Sequence, residues 1–151
     1  MNNKCKKKII LEKIIGNKNQ VNTLFQLLKN REHNISNVSM PTFNSHIQFV
    51  KNHPYRAWYL IKLNGLYIGS TYVMENNCIG IFLLDNFSIF PEVIGLISKK
   101  HKPLKEIQSV RPPNFYINIA PKNKSIKFQL TKMGATKIQL TYSLASIKIY
   151  S

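Results

Sequence analysis

Apolar residues recur at helical spacing in four places along the chain. The four sets are Val21/Leu24/Phe25/Leu28, Phe43/Ile47/Val50, Phe90/Val93/Ile94/Ile97 and Ile126/Leu130/Met133. The first predicted helix ends near Asn30, and Ser45 with Gln48 offers a capping box for the second. Pro91 suits the first turn of the third helix, and Gly134 is a stop signal for the fourth. The polar stretch NREHNISNVSMPT (residues 30–42) predicts an irregular connection between the first two helices.

Runs rich in β-branched and aromatic residues predict the strands. These runs are KIILEKII (8–15), RAWYLIKL (56–63), LYIGSTYVM (66–74), CIGIFLL (78–84), NFYINIA (114–120) and KIQLTYSLASIKIY (137–150). Asn64-Gly65 is a strong hairpin signal, and Asn76-Asn77 also tolerates left-handed geometry. Residues 57–84 are therefore expected to form an antiparallel meander. Its third run is apolar on both faces, which predicts a central strand covered by helices.

The order of these elements predicts a mixed α/β fold, β-α-α-β-β-β-α-β-α-β-β, whose last run supplies one or two strands. The chain has 151 residues, 44% of them hydrophobic, with neither an internal repeat nor a dividing linker. We therefore expect a single domain over residues 1–151, with its core at about 8–144. An exposed final strand could pair between subunits.

Cysteine and histidine usage predicts neither a disulfide framework nor a metal site. Cys5 and Cys78 are the two cysteines, and the four histidines lack a metal-ligand spacing. The apolar run near the N-terminus is interrupted by Glu12 and Lys13, which argues against a signal peptide or a membrane span. A reducing, cytoplasmic location is the expectation that follows.

The formal charge of +16 has two interpretations. It favours an anionic partner such as a nucleic acid, a ribosome or an acidic protein. Frequent Lys, Asn and Ile also indicate coding bias, although bias does not explain why the chain has only six acidic residues. The basic residues are spread out, apart from clusters at 4–8 and 99–102, so both interpretations remain open.

The element order, together with NIAPKNKSIKFQLTKMGATKIQLTYSL (118–144), resembles the GNAT N-acetyltransferase superfamily. The late motif of that family, strand, Asn, helix and Gly, falls on Asn123, Ser125, Lys132, Met133 and Gly134, with Ala135 where an aromatic is usual. The stretch FNSHIQFVKNHPYRAWYLIKLNGLYIGSTYV, followed by NCIGIFLL, is similar to a subgroup of small bacterial acetyltransferases. Some members of that subgroup modify amino sugars carried on nucleotides. The resemblance covers residues 8–144.

The resemblance implies that acetyl-CoA enters a gap between strands near 78–84 and 115–119. The implied cofactor-binding residues are Phe82, Leu83, Leu84, Ser88, Asn118, Asn123 and Ser125. A strand N–H near Leu84 would polarise the acyl carbonyl. Asn123 suits a joint role, as helix cap and as cofactor contact, because its amide both donates and accepts.

The family's glycine-rich pyrophosphate loop aligns with residues 88–93, where glycine is absent. Pro91 lacks an N–H to donate, and Glu92 places negative charge where the pyrophosphate would lie. Lysines near 99–105 would have to hold the phosphates instead. The implied binding mode of acetyl-CoA is therefore atypical.

Acid–base residues of the family are also replaced. Cys78 stands where many members carry a glutamate, and Leu130 stands where many carry a tyrosine. The candidate catalytic residues are Glu75, Cys78 and Tyr142, with Tyr116 as a further tyrosine, and His46 is the candidate on the acceptor side. Each has a structural alternative: a solvated turn carboxylate, a packed thiol, strand tyrosines and a helix histidine.

Two functions remain open at this point. The first is an N-acetyltransferase that moves an acyl group from acetyl-CoA to a primary amine of a small molecule, for example a nucleotide-linked amino sugar. The second is a catalytically inactive GNAT-like domain that acts as a basic binding module for RNA, a ribosome or an acidic partner.

Overall fold

The computed structural model describes residues 7–33 and 39–145. The strands are β1 (Ile9–Lys13), β2 (Ala57–Leu63), β3 (Leu66–Val73), β4 (Cys78–Leu83) and β5 (Tyr116–Ile117). The helices are α1 (Lys18–Lys29), α2 (Phe43–Lys51), α3 (Phe90–Lys100) and α4 (Lys124–Lys132), and a 3-10 turn at Phe87–Ile89 leads into α3. The predicted mixed α/β class is confirmed.

The five strands form one sheet in the order β1-β2-β3-β4-β5. The first four strands are antiparallel, and β5 lies parallel to β4. Asn64 and Gly65 turn the β2–β3 hairpin with φ of 51° and 87°, and Asn77 turns the next one with φ of 68°. The predicted meander and the central position of β4 are therefore confirmed.

Helices cover both faces of the sheet, and each strand alternates its apolar side chains between them. In β2, Trp58 and Leu60 belong to the cluster that packs α1 and α2, whereas Tyr59 and Ile61 belong to the cluster that packs α3 and α4. In the described ranges, 7–33 and 39–145, every helix is too short or too polar to cross a membrane.

The second helix begins earlier than the capping-box pattern predicts. Thr42 is its N-cap and accepts a hydrogen bond at Oγ1 from the Ser45 backbone N–H, at 3.2 Å. Ser45 therefore lies inside the first turn. The predicted capping box at Ser45 is therefore wrong, since Thr42 is the cap, whereas Phe43 of the predicted apolar set does belong to the helix.

The last predicted strands form only in part. The run at 114–120 pairs with β4 over two residues, and residues 137–145 pair with no strand among the residues described. In that segment Ile138, Leu140, Tyr142 and Leu144 are each at least 65% exposed. Their alternation suits a strand, but a strand forms only where a partner edge meets it. The rest of this run, residues 146–150, lies outside the described residues.

Asn77 anchors the long connection between α3 and β5. Its side chain is fully buried, donates at 2.8 Å to the carbonyl oxygens of Leu104 and Pro112, and accepts at 2.7 Å from the Leu104 N–H. The Asn77 carbonyl also accepts the Tyr116 N–H at 3.2 Å. These bonds place β5 beside the first residues of β4.

Candidate active site

A cleft opens where β4 and β5 separate. The two strands pair only at Cys78–Tyr116 and Ile79–Ile117. Beyond this point residues 81–84 and 118–120 form opposite walls, the start of α4 closes one end, and residues 30–33 border one side. The part of the cleft that a water molecule can occupy has a volume of about 50 Å³. The separation that the resemblance implies is therefore present.

The backbone of β4 offers polar groups to this cleft. The Leu84 N–H donates to the Ile68 carbonyl at 2.9 Å, so Leu84 faces β3. Backbone groups of successive strand residues alternate in direction, and the register with β3 is unbroken from Ile79 to Leu83. Ile81 and Leu83 consequently direct their N–H and C=O groups toward the cleft. The N–H of Leu84 itself is already used, so the polarising N–H expected near Leu84 would be that of the neighbouring Leu83.

Two asparagines lie on the opposite wall. Asn123 caps α4, accepting the Ile126 N–H at Oδ1 at 3.2 Å, and also borders the cleft. Asn118 borders it as well, and its Nδ2 lies 3.6 Å from Sγ of Cys78. Asn123 thus lies both at the start of α4 and on the lining of the cleft.

The segment aligned with the family's pyrophosphate loop is packed into the core. Ile89, Phe90 and Val93 are fully buried, and Pro91 lies in the first turn of α3. Ser88 is exposed on the 3-10 turn, outside the cleft lining. The Ile89 N–H already donates to the Asn86 carbonyl and Pro91 has no N–H, so this segment lacks the run of free N–H groups that an anion cradle needs.

The lysines near 99–105 lie at the other end of α3. An 11-residue helix is about 16 Å long at ~1.5 Å per residue, so Lys99 and Lys100 lie about that far along α3 from its first residue. Their expected role toward the phosphates stays a prediction. A shallow surface beside the cleft is bordered instead by Lys124 and Ser125, with Phe87.

Cys78 is a buried thiol on β4. Burial raises the pKa of the thiol, which keeps it neutral at physiological pH. Tyr116 lies opposite on β5, and burial raises the pKa of its phenol. Neither group is charged, so neither is a strong base near neutral pH.

The other candidates lie away from the cleft lining. Glu75 is exposed in the β3–β4 turn, where its carbonyl accepts from Arg111 at 3.0 Å. Tyr142 is 78% exposed in the C-terminal segment. His46 is buried between α1 and α2, with its Nε2 3.0 Å from the Val21 carbonyl oxygen. Burial lowers the pKa of His46.

Sequence reasoning misses three ionisable residues that border the cleft, Arg31, Glu32 and His33. The Arg31 Nε donates to the His33 carbonyl at 3.1 Å, and its Cζ lies 5.9 Å from the centre of the Phe82 ring. Their signal in the sequence is a run of three ionisable residues directly after a helix. We interpreted that run as part of an irregular connection.

An aromatic stack lies on the same face of the sheet. The rings of Tyr55 and Tyr72 are parallel within 9°, with centres 4.0 Å apart. Tyr72 covers Gly80, where a Cβ atom would come within 2.0 Å of the ring. Burial is the main cause that raises the pKa of Tyr55 to about 12, so the phenol stays protonated near neutral pH.

Neither a family model nor a curated protein sequence matches this chain. Among solved structures, it is similar to AAC(6')-Iy in complex with the bisubstrate analogue CoA-S-monomethyl-acetylneamine. That likeness has a TM-score of 0.63 and 12% identity, covering 93% of this chain and 99% of the other. The aminoglycoside N-acetyltransferase AAC(6')-Iy with CoA gives a TM-score of 0.55 at 12% identity, covering 93% and 97%. A possible acetyltransferase from Clostridium difficile 630 gives 0.52 at 9% identity, covering 96% and 99%.

Proposed function

The chain has the fold of the GNAT acetyltransferases, and from this premise we propose that it is an acetyl-CoA-dependent N-acetyltransferase acting on a primary amine of a small molecule. The observation that carries the proposal is the cleft between β4 and β5. Its wall presents the backbone groups of Ile81 and Leu83 without a partner strand.

The residues of the cleft fit the pantetheine arm of the cofactor. Beyond the two residues of β4 that pair with β5, an extended chain with two amides can hydrogen-bond to the backbone of Ile81 and Leu83. Asn123, on the lining of the cleft, offers a side-chain amide to the same arm. Lys124 stands beside the cleft and is the cation best placed for the phosphates.

The turn before α3 does not fit the usual pyrophosphate site, because Ile89 and Phe90 are buried in the core and Pro91 lacks an N–H to donate. We therefore expect weaker cofactor binding than a glycine-rich loop would give. Acetyl-CoA, when bound, supplies the activated acetyl group. The chain contributes positioning by the strand edge and proton transfer by side chains.

An amine must lose its proton before it attacks a carbonyl carbon. The titratable groups bordering the described cleft are Glu32 and His33, beside the permanent charge of Arg31. Either group can accept the proton directly or through a water molecule. Because burial raises the pKa of Cys78, we propose direct transfer to the amine without a covalent enzyme intermediate.

A second candidate function is a GNAT-like binding module without catalytic activity. The turn before α3 favours it, since the bonded N–H of Ile89 and the missing N–H of Pro91 leave the family's main phosphate contact unformed. The charge of +16 would then serve an anionic partner.

Calorimetry and thermal melting with acetyl-CoA test the proposal. At 100 times the dissociation constant a ligand stabilises the folded state by about 2.7 kcal/mol. Asn123→Ala should weaken acetyl-CoA binding, whereas Thr42→Ala removes a comparable N-cap far from the cleft and should leave the affinity unchanged. The absence of any shift at millimolar acetyl-CoA, together with salt-sensitive RNA binding, would favour the binding module instead.

A further inference from the structure

Arg31 places a guanidinium group at the side of the cleft, next to the wall formed by β4. Its Cζ lies 5.9 Å from the centre of the Phe82 ring, and Phe82 itself borders the cleft. The Nε atom of Arg31 donates to the His33 carbonyl, and this bond fixes the plane of the guanidinium group. Within residues 7–33 and 39–145, the two terminal nitrogens of Arg31 make no hydrogen bond to protein.

No carboxylate of the described residues neutralises this cation. The ion pair found there joins Glu12 and Lys62 at 2.6 Å, on the far side of the sheet order. Glu32 follows Arg31 directly and also borders the cleft, yet its carboxylate lies outside ion-pair distance of Arg31. Among the residues that the structure describes, this side of the cleft therefore presents Arg31 and Glu32 next to each other without an ion-pair partner.

This arrangement is complementary to a ligand that has both charges. A guanidinium with two unused nitrogens matches the geometry of a phosphate or carboxylate, and binds it through two parallel hydrogen bonds. A carboxylate beside it matches an ammonium group. The overall charge of +16 acts in the same direction, since it attracts anionic ligands and repels polycationic ones.

We infer that the acceptor is a primary amine that also carries a phosphate or carboxylate group, with Arg31 binding the anion and Glu32 facing the amine. The inference rests on the proposed acetyltransferase function and adds the substrate class. Arg31 is then a specificity residue.

Matched pairs of ligands test this inference on the full chain. The first titration adds CoA alone, and its failure counts against the acetyltransferase function itself. The second set adds four compounds to the CoA-saturated protein: glucosamine 6-phosphate against glucosamine, and 4-aminobutyrate against 4-aminobutanol. In at least one pair, we expect the anionic member to bind at least tenfold more tightly than the neutral member. The pair that shows this preference identifies whether the anionic group of the acceptor is a phosphate or a carboxylate.

Three variants assign the preference to Arg31. Arg31→Gln should reduce the anionic-to-neutral ratio to about one, and Arg31→Lys should retain part of it because the charge remains without the fork. Lys29→Gln removes the same charge from the exposed end of α1 and should leave the ratio unchanged. Equal binding within both pairs, no binding by either anionic compound, or a ratio that survives Arg31→Gln would each overturn the inference while the CoA titration stands.

Discussion

Replacing Asn77 offers a sharp test of how the cleft is held open. The side chain is fully buried and makes three hydrogen bonds of 2.7 to 2.8 Å to the backbone of the α3–β5 connection. Its φ of 68° lies in the left-handed region, which asparagine tolerates and alanine does not. Asn77→Ala therefore loses the bonds and adds backbone strain.

The magnitude follows from these contacts. Each net hydrogen bond contributes about 0.5–1.5 kcal/mol, and the left-handed conformation costs a residue with a Cβ atom roughly 1–2 kcal/mol. Asn77→Ala should lower the free energy of unfolding by about 4 kcal/mol. For a chain of this size, that corresponds to a fall in Tm of roughly 10 °C. Asn77→Gly removes the bonds without the strain and should lie between Ala and wild type.

Circular-dichroism melts and urea titrations measure both variants. Asn76→Ala is the control, since this neighbouring side chain is exposed and makes one bond, at 3.0 Å from the Cys78 N–H. It should cost about 1 kcal/mol or less. A Tm for Asn77→Ala within 2 °C of wild type would refute the argument that this side chain anchors β5.

The remaining predictions concern packing, pH and association. Gly69→Ala should lower the free energy of unfolding by at least roughly 2 kcal/mol, because the added Cβ would lie 2.0 Å from a carbonyl oxygen of β4. Gly95→Ala has open space at its Cβ and should stabilise α3 by roughly 0.5–1 kcal/mol. Urea midpoints that fall equally in the two variants would contradict this. Burial lowers the pKa of His46 below its unfolded value, so the unfolded state binds more protons and stability should fall as pH drops below about 6.5. The urea midpoint should depend less on pH between 5 and 7 in His46→Gln than in the wild type. The same pH dependence in both proteins would contradict the role given to His46. The exposed apolar row at 138–144 predicts association at high concentration, which Leu140→Lys should reduce in light scattering; a wild-type monomer at every concentration would show that the row is unpaired in solution.

Local signals in the sequence were sufficient for most of the elements. Helical periodicity predicted four helices, and Asn64-Gly65 predicted a hairpin whose two residues do have positive φ. These predictions hold because periodicity and turn chemistry depend on residues a few positions apart. Asn123 was likewise predicted as a helix cap and is one.

Only part of the candidate site could be predicted from the sequence. The resemblance implied the gap and the two asparagines on its wall, and both are present. The ionisable residues 31–33 were missed, because a run that follows a helix gives no indication of which strand it will approach. The polarising N–H could be predicted only as one near Leu84, because the direction of a backbone N–H depends on the register between β3 and β4, which directs that of Leu83 toward the cleft.

The sequence by itself determined the class of fold, the meander and the strongly basic charge, since these depend on composition and on neighbours along the chain. The tertiary structure alone decided where β4 and β5 separate. It placed Arg31 beside the cleft between them and Asn77 next to the residues where the two strands pair. It also left residues 137–145 without a strand partner in the described chain. The reason is that strand pairing, register and burial arise from contacts between residues far apart in the sequence. The apolar pattern of one segment does not reveal which strand edge that segment will meet.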